Sequence, residues 1–344
     1  MVSRREFVKK TMLAVLGGLA VSRLTPLARA AGEAADQEAP PLPWPYVELD
    51  PEETRKLGHL GYYMFECAAG AFWAITVQLK EKIGYPWTLL PIPSREEVMR
   101  ALEEGRHIPG LMQYGYGGAV GWGSLCGALN GALMAINMVL GEKAEWDRIG
   151  KLLMRYYETT PLPAEKSNEY AVKGEFYVKK LKSDKWLPQS VSGSVLCHVS
   201  VGKWCRVSGY ASGSKERSER CARITGDIAA RAVELLNAYK RGRLEEVAAS
   251  LTLSPTTASC RVCHYKGKDY EIGQFTRGYM QCESCHTDMR PHAHTFVDIV
   301  RPGSGLAEEA GSSKGLLTAG AAAGVAIGVV AGALASSKNK EERQ

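Results

Sequence analysis

The chain has 344 residues, with 43 Lys and Arg against 37 Asp and Glu, a formal charge of +6. Residues 1–30 carry +5 of that charge, so the rest is close to +1 and offers no basic surface for nucleic acid. The length suits one large domain plus a small module, and 45% hydrophobic residues can fill a sizeable core.

Ser3-Arg4-Arg5-Glu6-Phe7-Val8-Lys9 matches the twin-arginine export pattern. A short, weakly apolar run from Thr11 to Ala20 and the small-residue site Ala28-Arg29-Ala30 complete a signal peptide over 1–30. Residues 31–49 read as a linker, with Pro40, Pro41, Pro43 and Pro45 favouring extended backbone. A helical, cysteine-containing domain is expected over 50–250. Its first helix starts at Asp50-Pro51-Glu52-Glu53, with an Asp cap and acids over the positive dipole end, and runs to about Lys82. Ser94 with Glu97 caps a second helix through Glu104. The glycine-dense stretch Gly110–Gly123 leads to Cys126 and a buried helix over Ala132–Leu140. Further helices are expected over Ala144–Glu158, near Leu196–Cys205 and over Lys215–Lys240, with Thr159–Val195 rich in loops. Long runs of strand period are missing, so the class is mainly α.

Residues 251–300 form a distinct module. Cys260-Arg261-Val262-Cys263-His264 and Cys282-Glu283-Ser284-Cys285-His286 are two C-x-x-C-H units. Two thiols at this spacing add to the two vinyl groups of one haem, and the following His is carried beneath the iron. The pair therefore predicts two haem c groups, attached through Cys260 and Cys263 and through Cys282 and Cys285, with His264 and His286 as proximal ligands. A four-cysteine zinc ribbon satisfies the same cysteine spacing but leaves both histidines without a role. Little regular structure is expected here, since covalent haems supply the core so short a segment lacks. Second axial ligands could come from His198, His292, His294 or His107, with Met280 and Met289 as further options; His59 and His107 read as helix-end residues.

A linker over 301–314 precedes the 21-residue uncharged run Gly315–Ala335, long enough to cross a bilayer as a helix. Gly320, Gly324, Gly328 and Gly332 place small residues along one face of it, as in packed membrane helices. Residues 336–344, with Lys338, Lys340 and Arg343, are expected to be a cytoplasmic tail, placing the rest on the periplasmic side.

Five cysteines remain: Cys67, Cys126, Cys197, Cys205 and Cys221. An iron–sulfur cluster, disulfides and buried thiols are all open to them. Twin-arginine export carries folded proteins, which suits a cofactor inserted before export, and haem c is attached only afterwards. A cluster, [2Fe-2S] by preference, answers that need.

Cys67 in Phe65-Glu66-Cys67-Ala68-Ala69-Gly70, Cys126 in Cys126-Gly127-Ala128-Leu129-Asn130-Gly131, Cys205 in Cys205-Arg206-Val207-Ser208-Gly209, and Cys221 resemble the redox family named for its C…GCAxxG…C…C pattern. Leu125 stands where that family has Gly, and Gly127 where it has Ala. The same core followed by two C-x-x-C-H units resembles the split-Soret cytochromes c, over roughly residues 50–300. The resemblance implies a mostly helical homodimer with two closely spaced, bis-histidine haems per subunit, a ligand that could cross between subunits, and an iron–sulfur centre. Cys67, Cys126, Cys205 and Cys221 match its four cysteines, with Cys197 extra. The expected function is electron transfer rather than catalysis, with protein redox partners such as a membrane quinone oxidoreductase. The alternatives are a haem-dependent reductase of a small oxyanion, or a redox-sensing or structural subunit of a membrane oxidoreductase complex.

Overall fold

A computed structural model describes residues 39–247, 251–265 and 276–286. Among them the architecture is helical throughout, and paired extended backbone is limited to isolated bridges. No helix of the described residues is long and apolar enough to cross a membrane. The signal peptide, the run Gly315–Ala335, His292 and His294 lie outside the described residues.

Helix α1 (Pro51–Ile83) begins as its capping signals predict, with the Asp50 side chain accepting from the Glu52 amide. It does not run straight. Glu66 takes φ 65° and ψ −173°, and there the helix reverses. The Gln78 amide donates to the Thr54 hydroxyl at 2.8 Å, whereas a straight helix would hold these residues about 36 Å apart. The arms 51–65 and 67–83 thus lie antiparallel. At their closest approach a Cβ on Gly61 would stand 2.9 Å from the Gly70 Cα, so only glycines let the backbones meet.

Against this hairpin pack α7 (Lys215–Lys240) and α3 (Gly127–Val139), while α4 (Lys143–Thr159) covers α3 and α7. Leu57, Phe65, Phe72, Trp73, Leu129, Leu153, Ile228 and Leu236 belong to one continuous buried cluster. At about 1.5–3 kcal/mol for each large apolar side chain taken from water, such burial supplies the main drive to fold. Helix α2 (Arg95–Glu103) carries the reciprocal Ser94–Glu97 capping box. The stretch read as loops contains one further helix, α5 (Glu165–Lys173), closed by Gly174 in the left-handed region.

Helix α6 (Cys197–Ser208) precedes α7, and the short α8 (Leu244–Val247) follows it. Contrary to the irregular structure expected of the module, its first motif lies on a helix, α9 (Pro255–His264). The reason is local. Ser254 caps it through the Thr257 amide and Pro255 stands at its first position.

Candidate functional site

Four cysteines far apart in sequence line one cavity of about 310 Å3: Cys67, Cys126, Cys197 and Cys221. Three of them stand where helices begin. Cys67 opens the second arm of α1 immediately after the reversal at Glu66, Cys126 caps α3, and Cys197 is the first residue of α6. A small backbone clasp sets two of these side by side. Leu125 and Leu196 form an antiparallel bridge, the Cys126 amide donates to the Val195 carbonyl at 2.9 Å, and the Cys197 amide donates to the Ser124 carbonyl at 2.7 Å. Cys221 approaches from within α7, where the Arg217 side chain hydrogen-bonds it.

Helix N-termini concentrate unpaired amide donors and favour negative charge. The amides of Ala128 and Leu129 face the Cys126 thiol, and that of Gly117 faces Cys67. Gly127 is what lets Cys67 approach, because a Cβ there would overlap its Sγ and stand 2.6 Å from the Gly115 carbonyl oxygen. This gives a physical reason for glycine where the four-cysteine pattern has alanine.

Burial pushes the proton affinity of the Cys67 and Cys126 thiols up, and that of Cys197 up to about 12. The neighbouring cysteines add to the effect, and the amides at Cys67 and Cys126 oppose it. Such thiols do not ionise singly at neutral pH. A cation bound among them, however, deprotonates its ligands. Among the described residues no three His, Cys, Asp or Glu side chains close on a single metal-ion position. The thiols surround a space rather than a point, which suits a polynuclear group ligated at its periphery.

Cys205 lies outside this cavity. It stands eight residues beyond Cys197 on α6, about 12 Å further along the axis. The sequence did hold a signal for Cys197: Gly123-Ser124-Leu125-Cys126 is echoed by Gly193-Ser194-Val195-Leu196-Cys197, in each of which a leucine leads a cysteine into a helix.

The two C-x-x-C-H units are brought together. By register, positions 260, 263 and 264 share one face of α9. The 3-10 turn Cys282–Ser284 brings Cys285 one turn beyond Cys282, and the His286 amide donates to the Cys282 carbonyl at 2.9 Å. The Cys282 amide donates to the Thr257 hydroxyl at 2.7 Å, and that hydroxyl donates to Glu283 at 2.5 Å. The Cys260 thiol reaches Cys282, and burial with that neighbour raises its proton affinity. Both motifs thus coil in the sense that brings their cysteine, cysteine and histidine positions to one side, the residue set that would hold a haem c.

The histidines separate. His198 is exposed at the start of α6, its amide donating to the Gly123 carbonyl at 3.0 Å. His107 is exposed, 3.4 Å from Gln113. His59, expected at a helix end, is instead fully buried: it stacks on Phe176 and meets Glu219 at 2.9 Å.

A relative named split-Soret cytochrome c, from Desulfovibrio desulfuricans (strain ATCC 27774 / DSM 6949 / MB), is 32% identical over 306 residues, spanning 84% of this chain and 98% of the relative. The chain belongs to the split-Soret cytochrome c family. Residues 98–235 also match the family described as "Putative redox-active protein (C_GCAxxG_C_C)". A solved structure titled "A novel iron centre in the split-Soret cytochrome c from Desulfovibrio desulfuricans ATCC 27774" superposes with a TM-score of 0.54 at 32% identity, covering 74% of this chain and 95% of that one. The described helical body and both C-x-x-C-H units are therefore features of a cytochrome family member.

Proposed function

We propose that this split-Soret family member is an electron carrier with two haem c groups, at Cys260, Cys263 and His264 and at Cys282, Cys285 and His286, and an iron–sulfur centre held by Cys67, Cys126, Cys197 and Cys221. The observation that carries this reading is the convergence of three helix N-termini and four thiols on one cavity, in a chain whose two haem-attachment motifs touch each other. Bound at these places, haem and an iron–sulfur cluster supply reversible one-electron chemistry. The protein's part is to hold and tune them. Amides at Cys67 and Cys126, with the Arg217 guanidinium at Cys221, favour the thiolate forms and hold the added negative charge of a reduced centre. The contact between Cys260 and Cys282 keeps the two attachment sites within a short electron path.

The cavity forms only when segments 67, 126, 197 and 221 have folded together. A cluster there would enter a body already folded, which fits the twin-arginine route and a periplasmic location. The run Gly315–Ala335 supports anchoring in the membrane, and its small-residue face a homodimer. A protein redox partner, such as a membrane quinone oxidoreductase, completes the proposal.

The test is metal and haem quantitation with low-temperature paramagnetic resonance on protein made in a host competent for haem attachment. Two haems, two low-spin ferric signals and a reduced-cluster signal are expected. Cys197→Ser loses the non-haem iron and sulfide, while Cys205→Ser retains them. Two haems without non-haem iron would sink the cluster, and rapid carbon monoxide binding by the ferrous protein would favour a reductase instead.

A further inference from the structure

The segment carrying the second motif rests on an ion pair that the proposal above does not use. Arg155 and Glu158 lie one turn apart on α4, each side chain 3% exposed, and pair at 2.5 Å. A second Arg155 nitrogen donates to the Tyr279 carbonyl at 3.1 Å. The Glu158 carbonyl accepts from the Gly193 amide at 2.8 Å, and the Gly193 carbonyl in turn accepts from the Ser284 hydroxyl. The pair is therefore tied to both flanks of Cys282.

It is also incompletely satisfied. Glu158 Oε1 and Arg155 Nε are buried without a hydrogen-bond partner. Both residues line a cavity of about 400 Å3 whose other walls include Leu133, Trp146 and Met154, and which reaches the exposed Tyr279 and Met280. A buried carboxylate oxygen lacking a donor is costly, and a proton there removes much of the cost. Burial pushes the Glu158 carboxyl up to about 7, although Arg155 and the Gln281 amide pull the other way and Glu283 adds to the rise.

The other charged groups nearby do not compete for the proton. On α4, Asp147 and Lys151 hold each other ionised. Glu283, on the motif segment, is buried enough to be pushed up, but the hydroxyls of Ser254 and Thr257, with Lys203 from α6, hold it low.

We propose that Glu158 is a proton acceptor coupled to the electron held at the Cys282–His286 motif. This rests on the reading that a haem is attached there. A haem bound at Cys282, Cys285 and His286 would supply the one-electron couple, its electron coming from a donor protein. One proton passes from solvent through the cavity to Glu158, turning carboxylate into carboxylic acid, and reoxidation releases both. Reduction of a group held by the segment tied to Arg155 and Glu158 would add negative charge there and so raise the Glu158 proton affinity. Between the oxidised-state and reduced-state values the potential of that haem falls as pH rises. For one proton per electron, each tenfold fall in proton activity lowers it by about 59 mV.

The experiment is a spectroelectrochemical titration of the full chain, haems attached, at a series of pH values. One haem is expected to show this slope over a span of pH that starts near the Glu158 value of about 7, and Glu158→Gln, which keeps the shape and a partner for Arg155, is expected to flatten it. Glu158→Asp should restore a slope with a displaced onset. Independently of any variant's folding, the reduced-minus-oxidised infrared difference spectrum of the unmodified protein should gain a carboxylic acid C=O band that moves on labelling Glu with carbon-13. An unchanged slope in Glu158→Gln, or no Glu-dependent band, overturns the proposal while leaving the haems in place. A chain that fails haem staining overturns the haem reading, and this one with it.

Discussion

Gly127 and Glu219 show how much single residues decide here. A methyl at position 127 would overlap the Cys67 Sγ and crowd the Gly115 carbonyl and the Ala68 amide, two backbone groups that cannot yield cheaply. Gly127→Ala is expected to destabilise the fold by about 1–3 kcal/mol through overpacking, and to lower the non-haem iron bound per chain with haem content unchanged. Thermal unfolding and iron assay check the two halves separately. Glu219 is buried at 0% exposure among His59, Arg223 and the Tyr63 hydroxyl. Burial pushes its carboxyl up, but the His59 hydrogen bond leads the interactions that hold it at about 2. Burial keeps His59 below its usual value and neutral, donating from Nε2, which agrees with a buried Nδ1 that has no partner. Both folded-state values lie below the unfolded ones, so both contributions are present at neutral pH and disappear on acidification. Stability should begin to fall near pH 6.5 as unfolded chains protonate His59. It should fall again from about 4.5 towards 2, where Glu219 contributes on the order of 3 kcal/mol. Urea unfolding across this range should show both steps, and Glu219→Gln should lack the lower one.

At the scale of elements, the sequence made most helices legible and hid the two features that build the site. Asp50-Pro51, the Ser94–Glu97 box and the long amphipathic pattern over Lys215–Lys240 locate their helices because capping and periodicity are local properties. The reversal at Glu66 is not local. Glutamate has no preference for that backbone conformation, which belongs almost wholly to glycine, and packing of the two arms around Gly61 and Gly70 imposes it. In the same way, Cys197 and Cys205 share one helix, and only the bridge between Leu125 and Leu196 decides which enters the cavity. The motif order alone pointed to Cys205. Strain at Glu66 offers a direct test. Glu66→Gly should raise stability by about 1 kcal/mol, since relief of the positive φ exceeds the extra freedom glycine gives the unfolded chain. Glu66→Ala should not, and urea midpoints compare them. The reverse ranking would mean that the turn is held without strain.

For the whole molecule, the question is how far the helical body depends on the module that follows it. Its core cluster runs through α1, α3, α4 and α7, and among the described residues beyond 250 it takes only the partly buried Leu251 at its edge. The module leans on the body through polar ties, Arg155 to Tyr279 and Ser284 to Gly193, and its own parts are joined through Thr257, Glu283 and Gln281. Apolar burial within the body outweighs these ties, since a few hydrogen bonds contribute about 1 kcal/mol each. The body should therefore fold whether or not porphyrin is attached. Replacing Cys260, Cys263, Cys282 and Cys285 together by Ala should abolish haem staining yet leave the far-ultraviolet helical signal, cooperative unfolding and the iron bound at the four-thiol cavity. If that variant instead lost its cooperative transition, attachment of haem to the module would have to be part of how the helices find their packing. The proposed order of assembly would then need revising, because a cluster inserted before export would require a body that folds before any haem arrives.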